Sequence, residues 1–303
     1  MKMSKLPKLI VILGPTASGK TDLSLRLAKK FNGEIINADS RQIYKGMDVG
    51  TGKIIDKKDI RHYLLDVARP DEEFTLADYK KKAEAAIKNI LKHEKVPFLV
   101  GGTGLYVQAI IDNLEIPSVP PNKKLRAQFE KEIEKPGGIL KWYKKLLKLD
   151  PGAAKVVDKN NPRRIIRALE VSLATGKPFS KLRKRGEKIF DVLQIGITLP
   201  RKKLYERIDK RVDQMIKEGL ARETKKLLKK YKPSLPSMSG IGYKEMGDYL
   251  NGNYNLGEAA QKIKFRTHAY ARRQITWFKK DKRIKWVKNY KEAEIKIKKW
   301  ILV

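Results

Sequence analysis

An α/β fold is predicted for this chain: a parallel sheet wound with helices and interrupted by a helical insertion. Three observations predict it. Short apolar runs alternate with helical stripes through the first hundred residues. The stretch GPTASGKT, residues 14–21, sits between the first apolar run and the first helix-like segment. Residues 122–187 then carry helical patterns and no convincing strand. Strand–helix alternation opening on a phosphate loop implies a parallel sheet, so the core is read as P-loop NTPase-like.

In chain order, LIVIL (9–13) is a buried strand by its unbroken apolar character. GPTASGKT fits G-x-x-x-x-G-K-[ST] in full. Gly14, Pro15, Thr16, Ala17, Ser18, Gly19, Lys20 and Thr21 are therefore assigned to a diphosphate or nucleotide cradle. The glycines let backbone N–H groups converge on one phosphate, Lys20 adds a point charge, and Thr21 offers a hydroxyl to Mg²⁺. The helix TDLSLRLAKKF that follows brings its positive end to the same place. EIINA (34–38), HYLLDV (62–67) and PFLVG (97–101) read as further strands. Between the last two, Leu76, Tyr79, Ala83, Ile87, Ile90 and Leu91 form a helical stripe. PSVPP (117–121) is a linker signal, and helical patterns follow at Lys124–Glu134, Ile139–Leu149 and Arg164–Ala174. DVLQIGITL (191–199) returns to strand character. Leu204, Ile208, Val212, Met215, Ile216 and Leu220 mark one long amphipathic helix, 256–280 another, and RIKWV (283–287) a last strand. The division expected is a catalytic core of residues 1–119 and 188–303, with C-terminal helices, and a helical insertion of residues 120–187.

Bulk properties narrow the function. The 303 residues hold 69 Lys+Arg against 34 Asp+Glu, a net charge of +35, for which a polyanionic partner is the simplest reason. A lysine-biased or heat-adapted surface is the plainer alternative. With no cysteine, disulfides, zinc–thiolate clusters and thiol nucleophiles are excluded. His62, His93 and His268 are scattered without metal-ligand spacing. No apolar run approaches membrane-spanning length, so a cytoplasmic protein without membrane attachment is expected, and a monomer is the starting assumption.

Ligands of open parallel sheets bind beyond the carboxyl ends of the strands. DSRQIYKGMDVGT begins at such an end, which places Asp39 near the phosphate loop, either as a functional carboxylate or as a helix cap. A nucleotide hydrolase wants a strand ending in a metal-binding acid. The fourth strand ends instead in Gly101-Gly102-Thr103-Gly104, and Asp66 is the other acid in range. Arg207 and Arg211, four apart on the 200–230 helix, could fork around a diphosphate or pair with Glu206 or Asp209. Basic residues beside aromatics in the tail, Arg266, Tyr270, Arg273 and Trp277, suit an RNA groove and make Arg273 a candidate RNA contact; Trp277 and Phe278 fit a core equally well.

Together these blocks resemble the tRNA dimethylallyltransferase family. The resemblance runs through GPTASGKT, DSRQIYKGMDVGTGK, VGGTGLYVQA, NNPRRIIRALEV, RIDKRVDQMI, SGIGYKEM and YARRQITWFKK, nearly the whole chain. It implies a P-loop core with an insertion that embraces the tRNA anticodon stem. It also implies transfer of a five-carbon prenyl group from dimethylallyl diphosphate to the exocyclic amine of an adenine beside the anticodon, with Mg²⁺. On the matching positions, Asp39 corresponds to the general base, Thr103 to a threonine near the reacting centre, and Arg211 to a diphosphate-binding arginine. Asp39, Ser40, Arg41, Gln42 and Thr103 match contacts to the target nucleotide. Arg126 and the run Arg163, Arg164, Ile165, Ile166 and Arg167 match positions that contact tRNA. His268 departs from the expected glutamine or arginine. Two other classes stay open: a small-molecule P-loop kinase or adenylate prenyltransferase, and a tRNA-binding NTPase.

Overall fold

A computed structural model describes residues 6–54, 59–182 and 184–302. It contains the expected α/β sheet. The elements run β1 (Lys8–Leu13), α1 (Lys20–Lys30), β2 (Gly33–Asn37), β3 (His62–Tyr63), α2 (Leu76–Lys92), β4 (Val96–Gly101) and α3 (Gly104–Ile111). After α4 (Lys123–Ile133), α5 (Gly138–Leu149), a 3₁₀ turn at Pro151–Lys155, α6 (Pro162–Thr175) and α7 (Phe179–Leu182), the chain re-enters the sheet as β5 (Asp191–Ile197). It closes with α8 (Arg201–Lys217), α9 (Leu220–Leu228), α10 (Tyr243–Leu250), α11 (Leu256–Lys279), β6 (Lys285–Val287) and α12 (Tyr290–Ile301).

The six strands are ordered β3-β2-β4-β1-β5-β6, and every pairing is parallel. β1 lies between β4 and β5, so the loop leaving it opens at the middle of the sheet's carboxyl edge. Alternation along β1 explains why the strand reads as unbroken apolar sequence. Leu9, Val11 and Leu13 join one buried cluster with α2 and α3, while Ile10 and Ile12 join another with α1 and α12. Both faces are covered, as parallel sheets require.

Two of the expected elements are cut short by residues with positive φ. HYLLDV is paired only at His62–Tyr63, because Leu64 and Asp66 adopt positive φ (64° and 57°) and turn the ladder off. The long helix expected over 204–220 ends at Lys217, and Gly219 at φ 95° redirects the chain into α9. The short helices α3, α10 and α12 gave no sequence signal of their own. Caps fix several starts: Thr75 and Asp78 form a capping box on α2, and Asn255 with Glu258 does the same on α11.

The chain divides into two compact units, one of residues 1–111 and 188–303 and one of Asp112–Glu187. The second is all-helical and has its own core of Phe129, Trp142, Leu146, Ile165, Ile166 and Leu169. Phe129 and Trp142 meet edge to face at 5.2 Å. Among the described residues no helix is long and apolar enough to cross a membrane.

Candidate active site

The site forms at the carboxyl ends of β1, β2 and β4, within the sheet-bearing unit. One cavity there is lined by Thr16, Lys20 and Thr21 of the phosphate loop, Asp39 and Gln42 after β2, and Gly101, Arg211 and Gln274. The fold thus brings the proposed cradle, base and diphosphate arginine to one space.

The phosphate loop turns from Gly14 through Ala17 (φ 59°) to Gly19 (φ 93°), where α1 starts. Two of its N–H groups are engaged internally: Ser18 N–H donates to the Pro15 carbonyl at 3.3 Å, and Thr16 N–H to Gln274 Oε1 at 2.8 Å. The amides offered to an anion are therefore those of the first turn of α1, including Lys20 and Thr21, which have no carbonyl four residues back within the helix. Ser18 is 3% exposed and its hydroxyl is buried inside the loop. Lys20 Nζ folds back to the Pro15 carbonyl at 2.7 Å. Burial pushes its pKa down to about 8, with Asp39 raising and Arg211 further lowering it.

Asp39 is held rigidly. Buried Asn37 accepts from Asp39 N–H at 3.1 Å and donates to the carbonyls of Asp39 and Leu64, both at 3.1 Å. Asp39 Oδ1 accepts Arg41 N–H at 2.9 Å, a local turn with no helix following, so the helix-cap reading gives way. Thr103 bridges the neighbouring strand end: its Oγ1 accepts Ser40 N–H at 3.0 Å and lies 3.3 Å from Ser40 Oγ. Burial, and then Asp39, push the Tyr270 hydroxyl pKa up, so that group remains protonated.

Gln274 was not anticipated. It lies 5% exposed on α11, accepting from Thr16 N–H and donating to the Gly102 carbonyl at 2.9 Å. One amide thus ties the phosphate loop to the glycine turn after β4. A Cβ at Gly102 would collide with Gln274 Nε2 and push this amide aside. Only its position in the stretch YARRQITWF could have flagged it.

Arg211 donates to the Thr51 carbonyl at 3.0 Å, and its guanidinium fills the space a Cβ at Gly52 would need. Burial lowers its pKa while Asp39 opposes that. Arg207 is exposed and reaches the Ser18 carbonyl at 3.4 Å. Asp209 lies against His268 at 2.8 Å rather than against either arginine, and His268 stacks on Tyr205 at 4.0 Å. Asp66, the other acid in range, is paired with Lys53 at 2.6 Å and is not among the residues that line the cavity. Arg41 donates to the Pro236 and Ser237 carbonyls, and Gln42 to those of Thr51 and Gly52. Arg273 is exposed on α11, Phe278 is core, and Trp277 is 37% exposed.

In the helical unit the run 163–167 splits by face. Arg163 is exposed and Arg164 half-buried. Ile165 and Ile166, read as part of an RNA-contacting run, turn their side chains into the core at 0% and 6% exposure. Arg167 donates to the Val119 carbonyl at 2.8 Å and sits 3.5 Å from Glu170, whose side chain is fully buried. Arg126 grips the same carboxylate through two nitrogens at 2.7 and 3.0 Å. Both arginines therefore hold the unit together, whatever else they touch.

A sequence model of the family described as IPP transferase matches residues 42–281. That is well over half the chain. The chain belongs to the IPP transferase family. It is 43% identical over 298 residues to the tRNA dimethylallyltransferase of Pelotomaculum thermopropionicum, covering 96% of this chain and 94% of that protein. The enzyme of the same name from Roseiflexus sp. (strain RS-1) is 47% identical over 275 residues, 90% of each chain. Among solved structures, the tRNA isopentenylpyrophosphate transferase of Bacillus halodurans is 40% identical, with 97% of this chain and 95% of that one covered and a TM-score of 0.72. A eukaryotic dimethylallyltransferase acting on tRNA is 32% identical, with 89% and 69% covered and a TM-score of 0.75. The family thus shares the fold described above, P-loop core included.

Proposed function

We propose that this protein is a tRNA dimethylallyltransferase. It moves the dimethylallyl group of dimethylallyl diphosphate to the exocyclic N6 amine of the adenine 3′ of the anticodon and releases diphosphate. The observation that carries this is the convergence of Lys20, Arg211 and Asp39 on one cavity: two cations suited to a leaving diphosphate and one carboxylate suited to an amine proton. The names of its relatives support the substrate class.

The reaction breaks an allylic C–O bond and forms a C–N bond. Negative charge grows on the departing diphosphate, where Lys20, Arg211 and the amides at the start of α1 stabilise it as it develops. The amine is a weak nucleophile, and Asp39, held by Asn37 and Arg41 N–H, accepts its proton. Thr103, held against Ser40, orients the acceptor beside Asp39. The adenine must leave the anticodon-loop stack to reach this cavity. In the helical unit, Arg163 and Arg164 are the basic residues offered to the anticodon stem.

The donor set fits Mg²⁺. Thr21 is among the residues that line the cavity, and its hydroxyl is an oxygen donor of the kind Mg²⁺ takes. That suits an ion bound chiefly by phosphate oxygens and water, with Thr21 as its protein ligand. When bound, it adds positive charge at the leaving group. A cytoplasmic location goes with this reading, and a monomer stays the starting assumption.

The test incubates the protein with unmodified tRNA, AMP or ATP and labelled dimethylallyl diphosphate. Label in tRNA alone is expected. Label in AMP or ATP instead would make it an adenylate prenyltransferase.

A further inference from the structure

Outside the cavity, Glu223 on the first turn of α9 has both of its carboxylate oxygens engaged. Oε2 accepts the N–H groups of Asp48 (3.0 Å) and Val49 (2.8 Å). Oε1 accepts Gly50 N–H at 3.0 Å and the Tyr243 hydroxyl at 2.7 Å. Four donors on two oxygens fill a carboxylate's capacity. The Tyr243 ring occupies the space a Cβ at Gly50 would need, so loop, helix and ring interlock.

The other end of this loop is where the diphosphate arginine rests. Arg211 Nη2 donates to the Thr51 carbonyl at 3.0 Å and packs on Gly52, whose φ is 56°. Gln42 donates to the Thr51 and Gly52 carbonyls at 3.2 Å. The loop is closed on itself by Gly52 N–H to the Val49 carbonyl and by Thr51 Oγ1 to the Met47 carbonyl. A displacement at residues 48–50 is therefore passed to the carbonyls that aim Arg211. We infer that Glu223 is a positioning residue for donor binding: it fixes the 48–52 loop and through it sets the Arg211 guanidinium on the diphosphate. The inference rests on the reading of Arg211 as the donor's diphosphate ligand.

Its role is visible in the alternative. A glutamine keeps the shape but replaces one acceptor oxygen by an amide that donates. At least one of the four donors then faces another donor, and the loop must shift to relieve it.

The experiment titrates dimethylallyl diphosphate calorimetrically into wild type, E223Q, R211Q and the double variant, and records each thermal midpoint. Glu223→Gln is expected to weaken donor binding by roughly tenfold, the scale of one charge-assisted hydrogen bond. Affinity for tRNA should stay unchanged. In the R211Q background the same change should cost little, because two residues acting through one interaction are not additive. Tyr243→Phe, removing one donor and leaving the loop N–H groups paired, should weaken the donor less than E223Q. Additive losses in the double variant would overturn the inference, as would unaltered donor affinity in E223Q with only a lower thermal midpoint. Failure of wild type to bind the donor would instead remove the assignment of Arg211 itself.

Discussion

At Lys20 the buried ammonium titrates at about 8 because burial and Arg211 disfavour its charge more than Asp39 favours it. An anionic donor restores the charged form, so binding near this pH takes up a proton, and donor affinity falls as pH rises through 8. Calorimetry in buffers of different ionisation heat should show that uptake in wild type and a smaller one in Lys20→Met. Equal uptake in both would mean that the diphosphate alone titrates. Asp39→Asn is expected to lower turnover by about a hundredfold or more, with tRNA affinity near wild type. Near-normal turnover at neutral pH would leave Asp39 a turn-forming residue. Much of this chemistry was legible in sequence, because a phosphate loop and a carboxylate at a strand end are local patterns. What was not legible is what holds them. Asn37, Gln274 and Glu223 act across 27, 258 and 175 residues of sequence, and nothing local marks a side chain whose partner is a distant backbone amide.

Among the elements, α11 reaches the phosphate loop through the amide of Gln274. Gln274→Leu should lose both hydrogen bonds and free the phosphate loop from the turn after β4, lowering transfer severalfold or more while overall stability falls by about 1–3 kcal/mol. Turnover unaffected by the change would show that the loop holds its shape alone. In the helical unit, α4 and α6 meet through Glu170. Burial acts to raise that carboxyl's pKa, but Arg126, the Asn122 N–H and Arg167 together hold it below the ordinary glutamate value. A lowered pKa means stability that is present above the unfolded value of about 4.3 and is lost as pH falls through the folded one. Acid should thus loosen the unit, and Glu170→Gln should flatten that dependence in a circular-dichroism melt against pH. An unchanged acid profile in the variant would assign the loss to other carboxylates. The pairing also refines which arginines carry RNA. Neutralising Arg163 and Arg164 should flatten the salt dependence of tRNA binding by roughly 0.7–0.9 in log–log slope for each phosphate they neutralise. An unchanged slope would place both arginines outside the RNA interface. Arg126→Ala would first show as lost stability. Helix existence here followed from the 3.6-residue stripe, whereas the facing of 163–167 did not, since alternating arginine and isoleucine reads alike as groove or as amphipathic helix.

For the whole molecule, the sheet order, the central phosphate loop and the helical unit between α3 and β5 follow from the alternation of short apolar runs with helical stripes. The +35 charge fits a polyanionic partner. What the fold alone does not decide is reaction class, because a phosphate loop serves hydrolases and transferases alike. Here β4 ends in Gly101, Asp66 is paired with Lys53, and Asp39 shares the cavity with Lys20 and Arg211, where the proposed reaction needs a base for the amine proton. The most direct measurement follows prenyl transfer from labelled dimethylallyl diphosphate to unmodified tRNA beside phosphate release from ATP, with and without tRNA. Label incorporated at N6 of the adenine 3′ of the anticodon, with negligible ATP hydrolysis, is the predicted result. Robust tRNA-stimulated hydrolysis with no label in tRNA would contradict it.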